Sequence, residues 1–150
     1  MKPVSQIIRF MSPLLLAAVL AACASAAARR DADVAEQSLY RSHAGAPVPS
    51  FHFFGRIDSW TPLGDRAVVV WTRLNEAWLL DLDGACNGLE YTPAIGLTSS
   101  AGTVSARFDK VLVRDTGGIN LPCTVMAIRP IDVVALKAAQ RATRDQASGT

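Results

Sequence analysis

Arg66-Ala67-Val68-Val69-Val70-Trp71-Thr72-Arg73-Leu74-Asn75-Glu76-Ala77-Trp78-Leu79-Leu80-Asp81-Leu82 is the stretch on which the fold turns. Two runs of β-branched, aromatic and aliphatic residues flank the short sequence Arg73-Leu74-Asn75-Glu76, which is the pattern of a β-hairpin. A loop over those four residues pairs Thr72 with Ala77; a tighter turn at Leu74-Asn75 keeps that register and adds an Arg73–Glu76 pair. Either way Trp71 is expected opposite Trp78, Val69 opposite Leu80, and Ala67 opposite Leu82. The other face carries Val68, Val70 and Leu79. Apolar residues on both faces call for a sheet covered on both sides, unlike a half-solvated meander.

Downstream, Asp81-Leu82-Asp83-Gly84 alternates carboxylates before a glycine, as a calcium loop does. The match then fails, because Cys86 and Thr92 stand where that loop requires Gly and Glu. A turn closing the hairpin is the better reading. Strand-like runs follow at 89–92, 95–99, 104–108, 111–113 and 123–128, punctuated by turn sequences at 99–102 and 115–118. Asp132 is placed to cap a helix over 133–144, with Arg141 and Arg144 near its C-terminal end and a frayed tail beyond. Upstream, 51–60 reads as one strand bent at Gly55, followed by a turn at 61–65. Residues 23–50 read as a tether, with Asp33 and Glu36 spaced to start a short helix over 34–41. The expected fold is mainly β: a small antiparallel barrel or sandwich of about six strands with a short helix near each end. Its β-rich domain would span 51–132, and the C-terminal helix and tail 133–150.

The N-terminus has a different character. Lys2 and Arg9 precede an apolar run over 10–20 and then small residues, the layout of a secretory signal over 1–22. The run is too short to cross a bilayer, which takes roughly 20 apolar residues. Leu20-Ala21-Ala22-Cys23 resembles the lipobox of bacterial lipoproteins. That resemblance implies cleavage after Ala22 and a diacylglycerol on the Cys23 thiol; ordinary cleavage nearby would instead leave Cys23 unmodified. Both routes export the chain. Ala24 stands where an inner-membrane retention signal would have aspartate, so the resemblance points to the outer membrane, facing the periplasm.

Removing 1–22 lowers Lys+Arg from 15 to 13, since Lys2 and Arg9 leave, while Asp+Glu stays at 13. A neutral body gives no broad basic surface for nucleic acid. Cys86 and Cys123 remain as an even pair in an exported chain, and a disulfide is the simplest use of them. No Cys-x-x-Cys or zinc-ligand spacing competes with that reading.

Catalytic patterns are absent from the sequence: no Gly-x-Ser-x-Gly elbow, His-Glu-x-x-His or glycine-rich phosphate loop occurs. An enzyme would have to draw on a carboxylate pair from Asp58, Asp65, Glu76 and Asp109, or on His52; solvated turn carboxylates are the plainer account, and His43 falls in the tether and takes no role. Trp60, Trp71 and Trp78 would make a ligand or partner patch if exposed side by side, and core filling otherwise. No cofactor or metal is expected. The reading is therefore a lipid-anchored, non-catalytic binding or interaction module, with a small-ligand module built on the aromatic strands as the alternative. Its expected partners are the membrane, through the lipid, and an envelope protein or component.

Several separated segments carry a family resemblance: Arg56-Ile57-Asp58-Ser59-Trp60, Pro62-Leu63-Gly64-Asp65, Val70-Trp71-Thr72, Asn75-Glu76-Ala77-Trp78-Leu79-Leu80 and Ile128-Arg129-Pro130-Ile131-Asp132, with Cys86 and Cys123 between. Over about 51–132 they resemble a family of small Gram-negative envelope lipoproteins catalogued as a domain of unknown function. The resemblance implies export and lipid anchoring, and supplies no activity, cofactor or catalytic residue.

Overall fold

The computed structural model describes residues 28–114 and 120–149, so the expected signal, Cys23 and the turn at 115–118 lie outside the described residues. In chain order there is a helix α1 over 28–42. Then come β1 (Ser50–His52), β2 (Ser59–Pro62), β3 (Ala67–Arg73), β4 (Glu76–Leu82), β5 (Ile95–Leu97), β6 (Thr103–Ser105), β7 (Lys110–Arg114), β8 (Asn120–Pro130) and α2 (Val133–Ser148). Six strands form one antiparallel curled sheet in the order β2-β3-β4-β8-β7-β5, and β1 pairs with β6 in a second sheet. The mainly β expectation holds, with a helix near each end. The chain divides into two compact units after Ala35. Of the first unit, the described residues 28–35 are helical and exposed.

The folded second unit begins at Glu36, earlier than the expected boundary at Phe51. Tyr40 is buried, Gln37 Nε2 donates to the Leu63 carbonyl, and Gly45 and Val48 donate backbone N–H bonds to Pro130 and Ile128. A buried Tyr and paired backbone are properties of a domain, not of a solvated tether. Asp33 is likewise inside α1 and does not start it. At the other end Asp132 Oδ1 accepts from Ala135 N–H at 3.0 Å, the expected cap. The helix continues to Ser148, so Arg141 and Arg144 fall short of its last turn and donate instead to the carbonyls of Lys137 and Gln140.

The strand expected over 51–60 is two strands, because Gly55 takes a φ of 78° that breaks the ladder between β1 and β2. The hairpin forms where expected, but its register moves. Arg73 pairs with Glu76, a bulge follows, and beyond it Trp71 faces Ala77, Val70 faces Trp78 and Val69 faces Leu79. A slip of one residue exchanges faces for everything beyond it. Val68, Val70, Leu80 and Leu82 therefore point into one apolar cluster with Phe51, Val104, Val111, Val125 and Ile128. Ala67, Val69, Ala77 and Leu79 point into a second, with Tyr40, Leu63, Ile131, Val133 and Leu136. The two-faced burial inferred from the hairpin is realised by β1 and β6 on one side, and by residues of both helices on the other.

Asp81 is a strand residue whose carboxylate lies 3.0 Å from Arg41 Nη2 and 3.6 Å from Arg129 Nε. This half-buried trio ties α1 and β8 to β4 and uses the acid that began the calcium-like pattern. Among the described residues no group of three or more His, Cys, Asp or Glu side chains is placed to hold a metal.

Candidate functional site

The surface feature that the hydrophobic core leaves open lies where β8 changes partners. Residues 120–124 of β8 pair with β7 and residues 125–130 with β4, with a register shift at the junction. Beyond the junction, the side of β8 vacated by β7 is taken by Arg107, whose N–H donates to the Val125 carbonyl, and by Val48, which bonds to Ile128. Between those contacts runs a groove of about 700 Å³, walled by Pro47, Val48, Pro49 and Phe108 and floored by Met126 and Ala127. Phe108 is 83% exposed and Met126 41% exposed, unusual for apolar side chains of this size.

Asp109 sets the shape of this wall. Among the described residues it is the buried carboxylate, 7% exposed. One oxygen accepts from Thr98 Oγ1 and the other from the Ser105 N–H, both at 2.7 Å. The Thr98 hydroxyl in turn accepts from Lys110 N–H at 2.8 Å. Clamped at Ser105 and Asp109, the intervening turn puts Arg107 at a φ of 70°, a left-handed conformation costing an L-residue on the order of 1 kcal/mol. Arg107 and Phe108 are thereby held outward, and both are exposed. Arg107 is the charged member of the lining, and among the described residues its guanidinium has no partner; nor do the hydroxyls of Ser50 and Ser105. We expect Asp109→Asn to lower stability by about 1–3 kcal/mol in urea denaturation, because an amide has a single acceptor oxygen, so either the Ser105 N–H or the Thr98 hydroxyl proton loses its acceptor. An unchanged midpoint would remove Asp109 from this role.

The residues singled out from sequence are dispersed. Cys86 and Cys123 are bonded, with Cα atoms 5.8 Å apart and Cys86 buried. The register shift separates the tryptophans: Trp60 and Trp78 lie on the inner face, flanking Val70, while Trp71 lies on the outer face. Trp78 stacks on Phe51 with ring centres 4.7 Å apart, and Lys137 Nζ sits 5.8 Å over the Trp71 ring. The three do not form one patch; each packs against a core cluster.

The carboxylates are individually engaged. Glu76 accepts from Thr72 Oγ1, Trp78 Nε1 and Arg73 Nη1. Asp58 pairs with Arg56, and Asp65 lies 3.9 Å from Arg66. His52 shares the outward face of β1 with Ser50, yet no hydrogen bond joins it to either groove serine. Near His43, Ser42 Oγ donates to the Leu39 carbonyl at 2.8 Å and lies 3.1 Å from His43 Nδ1, which is itself 2.8 Å from the same carbonyl oxygen. A carbonyl oxygen can only accept, so an Nδ1 bonded to it carries the ring proton and does not take one from the Ser42 hydroxyl. The groove arrangement can bind, and it offers a cation, two hydroxyls and apolar walls for doing so.

The sequence matches a family of unknown function, DUF6491, over residues 6–147. The chain belongs to that family. The match extends well beyond the 51–132 segment that carried the resemblance, taking in α1 and nearly all of α2. This DUF6491 member matches no curated protein and no solved structure.

Proposed function

We propose that this protein is an exported lipoprotein of the cell envelope, held by lipid on Cys23, whose β unit binds an envelope protein or component without catalysing a reaction. The observation that carries the binding half is the groove at the β8 junction, where exposed Phe108 and Met126 surround an unpartnered cation. Exposed aromatic and methionine side chains around an Arg have the composition enriched in protein interfaces. The export half is supported by the leader-like 1–22 and by the Cys86–Cys123 bond, which suits an oxidising compartment. The family match begins at residue 6, within that leader-like stretch, which fits a segment shared across the family. With Ala24 after the acylated cysteine, the proposed location is the outer membrane, facing the periplasm.

Fractionation after metabolic labelling with a fatty acid tests the anchor. The wild-type chain is expected in the membrane fraction carrying label, and Cys23→Ala in the soluble fraction without it. Identical distribution of the two would refute lipid anchoring at Cys23.

A further inference from the structure

We infer that the groove at the β8 junction takes an extended segment of a partner protein in which an apolar side chain stands beside a carboxylate. The inference rests on the interaction-module reading and adds the chemistry of the partner. Charge complementarity is its first ground. Of the described residues lining the groove, Arg107 carries the charge and none is an acid, and among the described residues no protein carboxylate pairs with that guanidinium. A guanidinium with its fork of donors free is matched by a carboxylate better than by any other group a protein offers.

The apolar half of the partner follows from the walls. Phe108 supplies a rigid aromatic anchor and Met126 a pliable one, a pairing that accommodates an apolar side chain of variable shape. Ser50 and Ser105, paired across β1 and β6 and without side-chain partners, add hydroxyls for the backbone N–H and C=O groups of an extended segment. The groove is an open trench, whereas a small-molecule site buries most of its ligand in a concavity. A lone cation is also too little for a membrane surface, which is read by clusters of about 4–8 basic residues.

The site is built before the partner arrives. The left-handed φ of Arg107 is held by the Asp109 bonds to Thr98 and Ser105 and by the Arg107–Val125 backbone bond. Fixing the backbone of the turn before the partner arrives removes the cost of ordering that backbone from the binding step, leaving the side-chain rotamers to be ordered.

The test uses the detergent-solubilised full-length protein and arrays of capped decapeptides with one apolar centre flanked by Glu, Gln or Lys. Laurate and phosphatidylglycerol vesicles serve as lipid probes. The Glu-flanked set is expected to bind best, and Arg107→Glu is expected to shift the preference to the Lys-flanked set by about tenfold or more, the scale of one charge pair. Arg107→Gly suits the left-handed φ, so it should fold at least as well as the parent, by circular dichroism and urea midpoint, while losing the Glu preference. Phe108→Ala should weaken every peptide of the bound set. Peptide binding that ignores flanking charge, or is unchanged in Arg107→Glu, overturns this inference and leaves the interaction reading standing. Binding of only laurate or vesicles overturns it in favour of a lipid ligand. If no peptide or lipid binds and a photo-crosslinker at position 108 captures nothing in cells, the inference and the interaction reading fall together.

Discussion

Replacing Cys86 and Cys123 together by alanine is expected to lower the unfolding free energy by about 4 kcal/mol, the chain-entropy value for a cross-link between residues 37 apart in sequence. Single domains are stable by only about 5–15 kcal/mol, so this is a large fraction of the whole. The location of the bond adds a local effect. Residues 83–94 hold no strand, and their backbone is tied to the sheet at a few points, such as Cys86 N–H to the Asp65 carbonyl and Asp83 N–H to Thr124. The disulfide fastens that irregular stretch, with buried Cys86 and Leu89, to β8 beside Val111. Urea denaturation with and without a thiol reductant measures the global term, and amide exchange over 86–97 the local one. A midpoint insensitive to reduction would show that the bond contributes nothing to stability, and free thiols by mass spectrometry in protein isolated from cells with its thiols blocked would show that it does not form.

The second large effect separates this sheet from an ordinary half-solvated one. Leu79 and Leu80 are consecutive on β4, both fully buried, and belong to different apolar clusters. Leu79→Ala and Leu80→Ala are each expected to cost about 2–5 kcal/mol, the range for deleting a buried leucine and leaving a cavity. In a sheet with one wet face, one of two neighbours would be nearly free to change. Equal and large losses in chemical denaturation, with the folded far-ultraviolet circular dichroism retained, are the expected result. A loss below about 1 kcal/mol at Leu79 would mean that α2 and residues 36–42 do not cover their face.

The disulfide and the two-sided burial were legible because each rests on residue type alone: an even cysteine pair behind a leader-like segment, and apolar side chains at both parities of a hairpin. The Asp132 cap was legible for the same reason, since a short acceptor side chain before a helical run acts within one turn. The extent of the folded unit was not, because Leu39 and Tyr40 are one isolated apolar pair among small and polar residues. Only contact with the outer face of the sheet turns that stretch from tether into domain. The resemblance to a domain of unknown function foretold membership in such a family and understated its span, since its segments lie mostly in strands and loops of the sheet.

The tryptophans show where a pattern argument stops. Alternation decides which residues share a face only while the ladder is regular, and the one-residue bulge between Trp71 and Arg73 exchanged the faces of β4 relative to β3. The groove lies further still from the sequence. Arg107, Phe108 and Met126 meet because β8 changes partner at its middle and because Asp109, buried between Thr98 and Ser105, forces a non-glycine residue into a left-handed turn. By itself the sequence determined a leader-like segment, a neutral body, a mainly β fold with two buried faces and one cross-link, all local or compositional properties. The tertiary structure alone decided the register, the start of the domain and the groove, because each depends on long-range backbone pairing that no single residue type encodes.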